Sequence, residues 1–247
     1  MAATDAPEQH AAPEPRWGIA DAAVGWLVAL LVANILGSLI LAAFGYTGRR
    51  ATSDRLPITM IALSYPPLWL GFVGVPIFVA WKKGNGWIRD FRVRFAWPDL
   101  GIGVAAGVLS QLVLVPLVSK PFQLLFNKTN AELTHPAKVL ADKAHGAHLG
   151  AFLLVLVVVI GAPLAEELFF RGLVYRCVER RLGPMWAIGI SAVVFGLTHF
   201  EGIQTPALIA FGAVLGYLVY RTDRLGTSVF THMAFNGVSM IALLSSR

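Results

Sequence analysis

The chain has 247 residues, of which 56% are hydrophobic and 14% charged, with a mean hydropathy of +0.66. An ordinary soluble domain is about 25% charged, so these figures argue against a water-soluble globule, a disordered chain or a nucleic-acid module, despite a formal net charge of +6. The single cysteine, Cys177, excludes an internal disulfide and Cys-rich zinc or iron–sulfur centres. Residues 1–16 are rich in Ala and Pro, carry Asp5, Glu8 and Glu14, and lack the basic start of a signal peptide; they predict a disordered tail. Seven stretches free of Asp, Glu, Lys and Arg follow: 22–48, 56–81, 100–119, 144–165, 182–200, 202–220 and 225–246. A membrane-crossing helix needs roughly 20 mostly apolar residues. The expected fold is therefore an all-α polytopic membrane protein of about seven transmembrane helices, in one domain without an internal repeat.

Residues 17–120 hold the first three spans. Pro66, Pro67 and Pro76 predict a kink in the second. The basic run from Lys82 to Arg94, interleaved with Trp87, Phe91, Phe95 and Trp97, reads as an interfacial anchor. Residues 121–148 form an extracytoplasmic loop with a short surface helix around Pro136 to Lys143. Residues 149–246 carry the remaining spans. Gly183-Pro184 marks the turn between spans 4 and 5, and Gly212 and Gly216 on span 6 are spaced for close helix packing.

Lys and Arg distribution sets orientation. The N-terminal tail and the loops after spans 2, 4 and 6 carry 12 of these residues, the other side 8. The bias places the N-terminus in the cytoplasm of a multi-pass cell-membrane protein.

Ionisable groups inside a membrane are costly and mark function. Only two of the six histidines, His199 and His232, fall within spans, and Glu166 and Glu167 interrupt an otherwise apolar run. Asn236 follows His232 by four residues and shares its helix face. Glu166 precedes Gly183 by 17 residues and His199 follows it by 16, so an antiparallel hairpin sets both side chains at nearly equal height, roughly 24 Å from the turn. A helix break near Gly172 would instead bring Glu166 toward the surface. His232 lies about 12 Å beyond Arg224 by the same rise, so the three groups can meet in one cytoplasm-accessible cavity. Glu167 and Arg171 stand in the favourable i,i+4 order. That pair fixes the helix and leaves Glu166 free, where a carboxylate withdrawn from water is a good general base.

The pattern Glu166-Glu167-x-x-x-Arg171, Phe195-x-x-x-His199 and His232-x-x-x-Asn236, each on a hydrophobic span, resembles the CPBP family of intramembrane proteases, which includes the CAAX prenyl-endopeptidase and its bacterial relatives. The resemblance covers residues 149–244 and implies an endopeptidase with its site on spans 4, 5 and 7. It assigns Glu166 to water activation with His199 assisting, and His232 and Asn236 to the water, a metal or the oxyanion. Glu167, Arg171 and Phe195 become supporting residues. Glu166, His199 and His232 are the candidate ligands of a divalent metal such as zinc. The implied partners are a membrane-associated peptide or protein substrate and the lipid bilayer, with no nucleic acid. Other proteolytic signatures are missing: no His-Glu-x-x-His, no Gly-x-Ser-x-Gly, and every aspartate flanks the spans. Two further readings use the same buried cluster, a transporter or proton relay and a non-catalytic membrane scaffold. Phe200, like Phe195, reads as a packing residue.

Overall fold

The computed structural model describes residues 13–52, 55–127, 139–140, 142–144 and 148–245. The described residues contain helices and no strand. In chain order these are α1 (Ile19–Ala43), α2 (Ile58–Ser64), α3 (Pro66–Lys83), α4 (Trp97–Leu125), α5 (His148–Leu182), α6 (Pro184–Thr198), α7 (Thr205–Thr222) and α8 (Gly226–Ser245). Six helical segments are long and apolar enough to cross a membrane, with α2 and α3 counted as one. The protein is a multi-pass all-α membrane protein.

The fifth expected span is the exception. Helix α6 has 15 residues, which at 1.5 Å each reach only about 22 Å, short of a hydrocarbon core about 30 Å thick. A charge-free interval counts apolar turn residues as well as helix, so it overstated this element. The helix ends at His199, and the chain turns back through Gly202–Gln204 into α7. Phe200, expected in packing, stands 75% exposed in that turn with φ 53°.

The helices pack through small residues. Only Ala22, Gly25, Ala29 and Gly37 of α1 are buried, while Val24, Leu27, Leu31, Ile35 and Leu39 face outward. Small inward residues let backbones approach closely where lipid removes any hydrophobic drive between helices. The same device joins α4 to α8: a Cβ at Gly107 would collide with the Thr231 carbonyl and the Ala234 methyl. Gly212 and Gly216 lie against the backbone of Ala192 and Ile188 on α6, as their spacing predicts. The proline kink falls at Tyr65, between α2 and α3, while Pro76 is accommodated inside α3. No break occurs at Gly172. Instead α5 widens into π-type turns at Leu156–Gly161 and Leu168–Val174, on both sides of Glu166 and Glu167. Pro163 has no N–H to offer the carbonyl four residues earlier, which accounts for the first widening.

The N-terminal segment and the chain ends after α3, α5 and α7 meet at one end of the bundle. Arg16 N donates to Lys83 O, Arg180 donates to the carbonyls of Pro15 and Trp17, and Asp223 pairs with Arg92 and Arg176. These are the segments grouped by Lys and Arg content. Of the expected tail, Pro13, Pro15 and Arg16 are held by hydrogen bonds, and residues 1–12 lie outside the described residues. Phe91, expected at the interface, is fully buried against Trp17. Of the expected surface helix, 139–140 and 142–144 are helical and the rest lies outside the described residues.

Candidate active site

Glu167 and Arg171 are both completely buried one turn apart on α5, and Arg171 Nη1 donates to Glu167 Oε1 at 3.1 Å. The other end of the guanidinium, Nη2, donates to the carbonyl of Gly212 on α7 at 2.9 Å, and the plane lies 4.5 Å over the Phe195 ring on α6. One arginine therefore ties three helices together. Its rigid fork of donors suits this task, which a lysine could not reproduce. Burying a charge is costly unless it is paired and hydrogen-bonded; the pairing here runs through Arg171 Nη1 and Glu167 Oε1, while Arg171 Nε and Glu167 Oε2 are buried without a hydrogen-bond partner among the described residues.

The same Glu167 Oε1 lies 3.0 Å from His232 Nδ1 on α8. With that carboxylate held ionised by Arg171, it accepts, so Nδ1 carries the proton and Nε2 points onward. Nε2 stands 3.9 Å from Glu166 Oε2, too far for a direct hydrogen bond. Glu166 is the freer of the two carboxylates. Its Oε2 is buried without a hydrogen-bond partner, although the side chain as a whole keeps 14% exposure. The two adjacent glutamates thus differ in their partners.

His199 caps α6, and its Nδ1 lies 2.9 Å from the carbonyl of Phe195. A carbonyl only accepts, so Nδ1 donates and Nε2 is left with a lone pair. The Phe195 ring is the hub of the site: it meets His199 at 4.7 Å, His232 at 5.6 Å and Phe170 at 5.4 Å between centroids. Phe195 thereby contacts the imidazoles of both α6 and α8. Asn236 Nδ2 donates to the carbonyl of Val158 at 2.8 Å, inside the first widened turn of α5, so one amide hydrogen serves helix packing.

Among the described residues, no group of three His, Cys, Asp or Glu side chains could hold a metal ion. Glu166 and His232 face each other, but His199 does not complete the expected zinc set, and three protein ligands are what an open zinc site needs. Two cavities occur at the charged end, and neither is lined by Glu166, His199 or His232. Several contributors were missed from sequence. The carbonyls of Val158 and Gly212 carry no side-chain signal. Phe211, beside His232 and stacked on Phe235 at 3.8 Å, reads as an ordinary apolar residue. Trp26 of α1 donates from Nε1 to Thr198 Oγ1 at 2.8 Å, so a helix outside the motif-bearing half braces the residue next to His199.

This fold and cluster define a polytopic membrane protein with a carboxylate–imidazole site buried among its C-terminal helices. Residues 148–238 match the family model described as type II CAAX prenyl endopeptidase Rce1-like. A 92-residue stretch is 28% identical to a Bacillus subtilis (strain 168) protein named "Putative membrane peptidase YdiL", covering 37% of this chain and 38% of that one. The similarity thus spans well under half of the relative's length. No solved structure matches. The matched stretch contains all three motifs, from Glu166 to Asn236.

Proposed function

We propose that the protein is an intramembrane endopeptidase that hydrolyses peptide bonds of membrane-associated substrates. The carrying observation is the buried, unpartnered Oε2 of Glu166 facing His232 Nε2 at 3.9 Å, while Glu167 is committed to Arg171. A water molecule donating to both acceptors is held with its oxygen lone pair free. Glu166 takes a proton as the oxygen attacks the scissile carbonyl carbon, forming the new C–O bond. The same proton then passes to the amide nitrogen as the C–N bond breaks, leaving an acid and an amine. Proton transfer by a positioned side chain is worth about 10²–10⁴ in rate. His199, with Nε2 unprotonated, assists by accepting a hydrogen bond from the departing amine. The free hydrogen of the Asn236 amide is available to the developing oxyanion. Glu167, Arg171 and Phe195 hold these groups in place.

The test is a comparison of peptide termini in membrane fractions from cells producing wild type or Glu166→Gln at matched levels. New termini confined to wild type support hydrolysis and name substrates. Identical termini, with both proteins inserted, would favour the scaffold reading.

A further inference from the structure

The basic segment after α3 does more than hold the chain at the interface. The structure sorts its arginines into two kinds. Arg92 is paired with Asp223 at 2.9 Å, and its neighbours Arg176 and Arg180 are spent on Glu179, Asp223 and the carbonyls of Pro15 and Trp17. The nearby Asp90 is likewise occupied, accepting from Trp17 Nε1 and Asn85 N at 2.9 Å each. Arg89 and Arg94 are different. Both are exposed, and neither side chain makes a hydrogen bond or ion pair among the described residues. They converge on an open cavity of about 390 Å³ lined otherwise by Asn85, Gly86, Trp87 and Ile88, with no carboxylate in its wall. Arg89 and Arg94 also line the adjoining cavity, whose wall holds Glu14, Asp90 and Glu179.

The setting selects among anions. The cavity lies between the end of α3 and the start of α4, so it sits where spans leave the apolar layer. Ile88 in its wall, and Phe95 and Trp97 just after Arg94 in the chain, are 56%, 52% and 94% exposed, the composition of a surface that dips into the headgroup region. Two unpaired guanidiniums offer the donor geometry that phosphate oxygens match. We propose that Arg89 and Arg94 form a binding site for the phosphate of an anionic phospholipid headgroup, with Ile88 and Trp97 against its acyl chains. The site is separate from the Glu166 cluster and does not depend on the proposed chemistry.

The full chain, purified in a neutral detergent, would be titrated with phosphatidylglycerol, with phosphatidylcholine and with inorganic phosphate, and bound lipid counted by native mass spectrometry. Each surface arginine contributes enough that removing two should weaken phosphatidylglycerol binding about thirtyfold in R89Q/R94Q. R49Q/R50Q, altering exposed arginines between α1 and α2, should bind as wild type does. Thermal unfolding should be unchanged in both variants, since neither pair has partners to lose. Undiminished binding by R89Q/R94Q, equal loss in R49Q/R50Q, or no preference over phosphatidylcholine would overturn the proposal. Displacement of the lipid by millimolar inorganic phosphate would overturn the lipid as its source.

Discussion

Glu166 and Glu167 are adjacent and chemically identical, yet their removal should have very unequal consequences for stability. Glu167→Gln leaves the Arg171 guanidinium fully buried without its counter-charge and loses the acceptor for His232. Breaking a buried pair on one side costs about 3–5 kcal/mol. For a chain of this size each kcal/mol shifts the melting temperature by about 2–4 °C, so a fall on the order of 10 °C is expected. Glu166→Gln removes a carboxylate with no hydrogen bond to Oε2, and its melting temperature should stay within about 2 °C of wild type. The assay is helix loss by circular dichroism in one detergent at one scan rate, because unfolding of such proteins is often irreversible. Replacing both members, as Glu167→Leu with Arg171→Met, should recover much of the loss, since apolar isosteres often substitute for a buried pair at no cost. Equal destabilisation by the two single Gln variants would refute the assignment of Glu167 to structure and Glu166 to chemistry.

Other expectations follow from single contacts. Gly107→Leu should prevent close approach of α4 and α8 and sharply reduce the yield of monodisperse protein, whereas normal yield and melting would show that this contact does not govern packing. Asp99 accepts from Ala96 N, Arg224 and Thr227 while fully buried, so Asp99→Ala should cost about 3 kcal/mol, read as a lower melting temperature than Asp99→Asn. Trp26→Phe should cost about 1 kcal/mol by losing its bond to Thr198; a melting temperature unchanged from wild type would mean that α1 does not brace α6 through this bond.

The parts of this molecule readable from its sequence are those fixed by solvent and by chain geometry. Spans are legible because lipid excludes charge, and the charged loops assemble at one end as counted. Glu167–Arg171 is legible because i,i+4 spacing on a helix leaves little choice. His199 is brought to the cluster through Phe195, in keeping with the hairpin symmetry about Gly183, whose φ of 88° suits a glycine turn. What stayed hidden depends on backbone and tertiary detail. Nothing in residues 182–200 reveals that the helix stops at Thr198, because His199 and Phe200 just beyond it are equally uncharged. The widened turns around the two glutamates arise from Pro163 and from packing on neighbouring helices. Asn236 reaches Val158 only because one of these turns is there. The interfacial anchor was half legible: composition identified it, but only pairing in space separates buried Phe91 and committed Arg92 from unpaired Arg89 and Arg94.

The central claim is that Glu166 activates water for peptide hydrolysis inside the membrane. Its most direct test uses purified wild type and Glu166→Gln in liposomes, with a peptide spanning a cleavage site found in the membrane fractions, in water enriched in oxygen-18. The account predicts that wild type cuts the peptide and places one heavy oxygen in the new carboxylate, and that Glu166→Gln loses at least about 10²-fold in rate while melting normally. Cleavage by Glu166→Gln at the wild-type rate would contradict it.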